Sequence, residues 1–326
     1  MKSMDLSFVF EKPIIQQGNI ISFKDMHSNF VAENQNQTKD IFAEKWEFVN
    51  EDAGAKELFK FQFEWFLKLY GFESIEELRT YLSGKKLIVD TGCGLGYKAA
   101  WFAELSPGCT VIGIDISSSV IIAARNYAHL PNLYFLQADI ASTGLKDGSV
   151  DFTVCDQVIM HTENPDTTFA HLARITKNEC EFACYVYTKK ALPRELIDDY
   201  FRKQTHEIES AKMWEFASQL TELGKRLTEL NVSFDCPDIP VLGIKGGKYD
   251  VQRFIYWNFL KCFYKPEWSK KLNDSTNFDW YAPSNAKRYS KLEFERLIAD
   301  NNLDITYFHE EEACYSGRFR KRKGKC

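Results

Sequence analysis

Three observations predict an open α/β fold, a parallel sheet with helices on both faces. Short β-branched apolar runs alternate with helix-period segments between residues 86 and 188. One run, Leu87-Ile88-Val89-Asp90, reaches an acid and then three alternating glycines, Gly92, Gly94 and Gly96. Two later runs also end in acids, Asp115 and Asp139, so three carboxylates face the edge where open α/β sheets bind ligands.

The elements follow in chain order. The polar patch Glu33 to Asp40, with Thr38 or Asp40 as an N-cap, leads into Ile41 to Val49, whose apolar residues recur at helical intervals. A second helix is expected at about 54–70, where Leu58, Phe59, Phe61, Phe63, Trp65, Phe66, Leu67 and Leu69 are too many for one narrow face. Residues 1–83 therefore read as a helical extension. Strands are expected near 86–90, 110–115, 132–137, 150–156 and 180–188, with helices near 96–105, 117–128 and 165–176, giving a core at 84–188. Residues 189–289 form an insertion that the sheet does not need, mostly helical in its first half, and insertions of this size are usually functional. The last segment, 290–326, reads as a helix at about 290–301 and a closing hairpin of 303–308 with 313–319.

Glycines at alternate positions let the backbone approach a ligand closely, and a helix beginning near Tyr97 would aim free N–H groups at the same place. A dinucleotide site wants G-x-G-x-x-G with an acid about 20 residues on. Here the third glycine comes one residue early and Asp90 stands just before the first. A carboxylate there would repel a pyrophosphate and welcome a cation or an amine, which disfavours NAD.

With Asp90 to Gly96, Asp115, Asp139-Ile140 and Gly148 to Asp156 in register, the chain resembles the class I S-adenosylmethionine (SAM)-dependent methyltransferases. The resemblance implies a Rossmann-like doubly wound seven-stranded sheet with an antiparallel C-terminal hairpin. It also implies a role for each matching residue. Asp90, Gly92, Cys93, Gly94 and Gly96 would hold the amino-acid and sulfonium end of SAM, Asp115 with Ile116 the ribose, and Asp139 with Ile140 the adenine. Phe42 and Trp46 would belong to a lid over the cofactor, as N-terminal helices often are in similar enzymes. Gln157 to Thr162 looks like the strand-end segment of the family's small-molecule branch. One departure is Thr176 to Cys180, where the family usually has a Pro-Gly-Gly turn.

Methyl transfer from a sulfonium is an in-line displacement that needs alignment more than catalytic groups. His161 is the candidate base, because it follows the fourth strand and titrates near neutrality. Asp156 and Gln157, nearer the methyl, also contact the cofactor or orient the transfer. In the insertion, Tyr256, Trp257, Trp280 and Tyr281 are expected as pocket walls, with Lys245, Lys248, Arg253 or Arg288 as anion anchors. The Gly246-Gly247-Lys248 segment reads as an anion nest or an ordinary turn. Convergence of these cations would imply an acceptor carrying a carboxylate or phosphate. The segment around Phe278 to Tyr281 resembles a bacterial branch of methyltransferases that has no single acceptor.

Composition bounds the alternatives. A net charge of -5 offers no overall footprint for nucleic acid, so a small-molecule acceptor leads over tRNA or a protein side chain. A SAM-binding module without catalysis is the remaining class. The basic tail Arg318 to Lys325 is either a solvated end or a contact with an anionic partner. The nine cysteines form no C-x-x-C pair and read as reduced thiols, with no metal expected. Without an N-terminal apolar segment or a run of 18 apolar residues, a cytoplasmic protein is expected, with no membrane contact.

Overall fold

The computed structural model describes residues 6–24, 33–50, 52, 54–205 and 207–324. Its chain divides into two compact units. The first takes residues 1–33, 61–187 and 287–326, and the second 34–60 and 188–286.

The first half of the chain runs through β1 (Ile14–Gln17), β2 (Ile20–Phe23), α1 (Glu33–Asn50), α2 (Ala55–Leu69), α3 (Ile75–Ser83), β3 (Leu87–Thr91), α4 (Tyr97–Leu105), β4 (Thr110–Asp115), α5 (Ser119–Asn126) and β5 (Leu133–Gln137). It continues with β6 (Val150–Cys155), α6 (Pro165–Ile175), β7 (Thr176–Thr188), α7 (Leu192–Thr205), α8 (Ser210–Glu229), β8 (Ser233–Cys236), β9 (Gly247–Asp250) and α9 (Val251–Asn258). The last elements are α10 (Lys270–Tyr281), β10 (Arg288–Tyr289), α11 (Lys291–Asp300), β11 (Leu303–Glu310) and β12 (Cys314–Lys321).

The first unit is built on a sheet in the order β1-β2-β5-β4-β3-β6-β7-β12-β11, with β10 beside β7. Pairing is parallel from β2 through β7. The closing hairpin is antiparallel, and its second strand, β12, inserts between β7 and β11. Side chains alternate across the sheet: Leu87, Val89, Ile112 and Phe182 pack on one face with Phe169, Phe294 and Phe319. Ile88, Val111 and Phe152 pack on the other with Phe66, Phe102 and Leu78. Both faces are dry, which is why these strands read as continuous apolar runs.

Ten strands stand where seven are expected. The addition is β10 with the hairpin β1–β2, which joins the sheet where Ile20 and Ile21 pair with Phe135 and Leu136. The N-terminal segment is thus not wholly helical. Its turn, Gly18-Asn19 with Gly18 at φ 61°, is a two-residue hairpin connection that the sequence carries openly. The departure at Thr176 to Cys180 also has a structural reading. β7 runs unbroken through it, with Glu179 at φ 64° and a register shift opposite Val150 and Phe152. A bulged strand does here what a separate turn would do.

In the second unit α8 lies against α10 around the indole of Trp214. It is stacked 3.9 Å from Phe278 and 4.1 Å from Phe48, and its Nε1 donates to Glu44 at 2.8 Å. Gly247 and Lys248 lie on β9, which pairs with β8, Lys248 standing opposite Asp235, while Gly246 stands just before the strand. The segment is therefore an exposed ribbon edge rather than a nest. Aromatic residues 254–257 lie on α9, and 278–281 end α10.

Phe182 is wholly buried on the central strand β7. Phe182→Ala is expected to cost about 3–5 kcal/mol, measured as a lower urea midpoint with an unchanged slope.

Candidate functional site

From β3 the chain passes to β4 and β5 on one side and then crosses to β6 on the other. Strand order reverses at β3, so its carboxyl end opens a crevice that neighbouring connections cannot fill. Three carboxylates stand there: Asp90 on β3, Asp115 on β4 and Asp156 after β6, exposed 3%, 8% and 5%.

The turn after β3 is shaped by glycine. Gly92 and Gly96 have φ of 76° and 75°, and a Cβ on them would come within 2.3 Å of Val158 and 2.6 Å of Phe135. Gly96 is the N-cap of α4, so the helix begins directly from the left-handed residue. The Gly94 N–H donates to Asp115 Oδ2 at 2.9 Å, while the Ser117 N–H and hydroxyl donate to Oδ1 at 2.8 and 2.7 Å. These bonds lock turn and β4 together. Burial raises Asp115 above the usual carboxylate range, against the opposing pull of Ser117 and Gly94.

Asp90 is less satisfied. Its Oδ2 is buried with no hydrogen-bond partner among the described residues. Burial pushes its pKa up to about 7; Lys98 opposes the shift, and Asp156 and Asp115 reinforce it. Lys98, on the first turn of α4, forms an ion pair with Asp156 Oδ2. Burial alone would lower Lys98, but Asp156 outweighs it and holds the ammonium charged. Tyr70 donates to Asp156 Oδ1 at 2.8 Å, and the Gln157 amide donates to Asp156 Oδ2 at 3.1 Å and to Gln62 at 2.7 Å. Gln157 holds a left-handed φ of 64°, a strained setting for a residue with a side chain.

The sequence-derived candidates therefore fall in two places. Asp90, Gly92, Cys93, Gly94, Gly96, Asp115 and Asp156 converge at the crevice, with Gln157 beside them. Ile116 lies past the end of β4, its carbonyl accepting from Gln137 at 3.1 Å, and Asp139 accepts from the Ala141 N–H at 2.9 Å beside buried Ile140. His161 is buried on the short turn after β6, its Nε2 3.3 Å from the Tyr187 hydroxyl and its ring edge-on to that phenol. Trp46, Tyr256, Trp280, Tyr281, Lys248 and Arg253 all lie in the second unit. There Tyr281 is wholly buried, its hydroxyl donating to Asp198 at 3.1 Å and accepting from the Lys261 N–H at 3.0 Å. Lys248 and Arg253 are exposed.

Sequence reasoning missed Lys98, Tyr70 and Gln62. Lys98 carried a signal: a cation two residues past the last glycine, inside the helix that starts there. Gln62 comes from α2 and Tyr70 from the turn just after it, roughly 90 residues upstream, and no local pattern links them to β6. The described residues also bring His309, Glu311 and Cys314 within 4.8 Å of one another. The Lys68 ammonium lies 3.0 Å from Glu311 and already balances its charge.

The charge at the crevice defines what it accepts. Three buried carboxylates face one ammonium, and the unpartnered oxygen on Asp90 calls for a donor, so the site suits a cationic ligand with N–H groups.

Residues 89–184 match the family model described as a methyltransferase domain. A trans-aconitate 2-methyltransferase from Deinococcus radiodurans is 45% identical over 53 residues, 16% of this chain and 20% of that protein. A ubiquinone biosynthesis O-methyltransferase from Coxiella burnetii is 26% identical over 202 residues, 57% of this chain and 80% of that protein. The crystal structure of a magnesium protoporphyrin IX methyltransferase from Synechocystis with bound SAM is 13% identical, covers 90% of this chain and 100% of its own, and has a TM-score of 0.47. Against five curated relatives of 30% identity or more, the chain spans 20–26% of their length. The glycine turn and the strand-end acids all fall within residues 89–184, so this stretch of the chain is similar to a SAM-dependent methyltransferase domain.

Proposed function

We propose that this protein transfers the methyl group of SAM to a small-molecule acceptor. The observation that carries the reading is the buried, unpartnered carboxylate oxygen of Asp90, set among Asp115 and Asp156 under the glycine turn of a methyltransferase domain. SAM brings an ammonium and a sulfonium against one carboxylate, a net cation that complements this crevice. In this reading Asp90 accepts from the ammonium, Asp115 keeps lone pairs for the ribose hydroxyls, and Asp139 and Ile140 meet the adenine. SAM, when bound, supplies the activated methyl group, and S-adenosylhomocysteine is the product.

The chain's own contribution is alignment and exclusion of water. Lys98 and Tyr70 fix the Asp156 carboxylate, and Asp156 in turn orients Gln157 at the mouth of β6. His161 would take the acceptor's proton through the ring nitrogen that meets Tyr187, which fixes the ring's orientation. A small-molecule acceptor is supported by the relatives named for trans-aconitate and for ubiquinone biosynthesis. It is supported further by the basic C-terminal segment. Arg318 and Arg320 pair with Glu181, Arg322 with Asp304 and Lys323 with Glu179, and Lys321 donates to the Arg174 and Thr176 carbonyls. Those cations are engaged within the chain, which weakens the case for a polyanionic acceptor.

Three outcomes are expected. Asp115→Ala should lower S-adenosylhomocysteine affinity at least tenfold by calorimetry while the fold survives, because each charge-assisted bond lost is worth about 1.5–3 kcal/mol. Unchanged affinity in the folded variant would remove Asp115 from the site.

The second concerns pH. Asp90 must be ionised to receive an ammonium, and burial holds its pKa at about 7 in the free protein. Protons therefore compete with the ligand below that value. S-adenosylhomocysteine should bind about tenfold more weakly at pH 6 than at pH 8. Asp90→Asn should bind weakly at both, with the slope gone. A wild-type affinity flat across this range would contradict the assignment.

The third is kinetic. Labelled SAM incubated with cell extract and this protein should yield a labelled small molecule identifiable by mass spectrometry. With that acceptor, His161→Ala should slow transfer about 10²-fold without changing donor affinity. Wild-type rates from pH 6 to 9 would make His161 structural.

A further inference from the structure

The second unit contains a group of buried charges that no motif announces. Lys45 on α1, Arg194 and Asp198 on α7, Lys261 after α9 and Asp279 on α10 form one chain of contacts. Lys45 Nζ lies 2.6 Å from Asp279 Oδ2, Lys261 Nζ 3.5 Å from Asp279 Oδ1, and Arg194 Nε 2.8 Å from Asp198 Oδ2. Aromatic faces line the cations: the Trp280 ring centroid is 4.7 Å from Lys261 Nζ and 5.1 Å from the Arg194 guanidinium, which also lies 5.5 Å from Tyr256.

Two features set this group apart from an ordinary ion-pair network. Three cations face two carboxylates, and Arg253, 5.3 Å from the Tyr256 ring, adds a fourth at the exposed margin. The Lys261 ammonium, its side chain only 8% exposed, donates no hydrogen bond to any described residue; its one ionic neighbour is the distant Asp279 oxygen. A buried ammonium whose recorded carboxylate contact is as long as 3.5 Å is costly. Burial lowers its pKa to about 8, the repulsion of Arg194 and Lys45 adding to the effect and Asp279 and Asp198 opposing it. The cost is relieved when an anion arrives.

We infer that Lys261, with Lys45 and Arg194 beside it and Trp280 and Tyr256 as walls, receives the carboxylate of a small organic anion. A carboxylate on a flat apolar body suits one open ammonium over an indole face. A phosphate dianion would need more than the single surplus charge of the inner group, and Asp279 would repel it. The residues differ from the exposed Lys248 and Arg253 that sequence spacing suggests.

The test uses the full-length protein titrated calorimetrically with sodium benzoate, benzamide and inorganic phosphate, with S-adenosylhomocysteine titrated separately. Benzoate should bind, and benzamide and phosphate should bind at least tenfold more weakly. Lys261→Met should weaken benzoate at least tenfold and Lys261→Arg less than threefold, both keeping wild-type affinity for S-adenosylhomocysteine. If Lys261→Met does not fold, Lys45→Met, at the more accessible margin, should weaken benzoate at least threefold. The inference is overturned if the wild type ignores benzoate up to its solubility, if phosphate binds as well, or if the folded variant binds benzoate unchanged. Loss of S-adenosylhomocysteine binding by the wild type would instead strike the donor reading.

Discussion

The first unit depends on how it stabilises three carboxylates that its own sheet forces into one buried place. Parallel strands leave their carboxyl ends on a common edge, and the reversal of order at β3 brings Asp90, Asp115 and Asp156 together there. Two are satisfied from within. Asp115 takes the Gly94 N–H and the Ser117 donors, and Asp156 takes Lys98 and Tyr70. Asp90 keeps one bare oxygen. The glycine turn makes this arrangement attainable, since a Cβ at Gly92 or Gly96 would collide with Val158 or Phe135 before the turn closed. Lys98 follows from the same geometry: α4 begins at Gly96, and its first turn is the nearest place from which an ammonium can reach β6.

Satisfaction and function are therefore divided among like residues by their surroundings. A carboxylate already held by a lysine and a tyrosine is a fixed point on which Gln157 can be oriented. One with a bare buried oxygen is, on the proposed reading, the receptor for a charged ligand. The same logic holds in the second unit with the sign reversed, where Arg194 is held by Asp198 and the Tyr256 carbonyl while Lys261 is not.

Much of the first unit was legible because its determinants are local. A buried parallel strand shows as a β-branched run, a strand-end acid follows it, and positive-φ glycines mark the turn, all within about ten residues of one another. The hairpin at Gly18-Asn19 was equally local and was overlooked, because short runs such as Ile14-Ile15 compete poorly with the helical pattern that follows. The charged group of the second unit was illegible for a different reason. Lys45, Arg194, Lys261 and Asp279 are scattered over more than 230 positions, most of them on helices whose amphipathic pattern reports burial and not how a buried charge is partnered. Exposed basic residues near the glycines, such as Lys248, drew attention only by their spacing.

Net charge conceals this division. The chain has 41 basic and 46 acidic side chains, a near balance that excludes a polyanion footprint and says nothing more. Beneath it the first unit carries a buried excess of negative charge at the ends of β3, β4 and β6, and the second a buried excess of positive charge from α1, α7 and the segment after α9. Screening by water and salt weakens most surface pairs, but buried groups keep their sign at short range. On the proposed reading, the first unit would select a cationic ligand and the second an organic anion, each by the sign of the group it must bury.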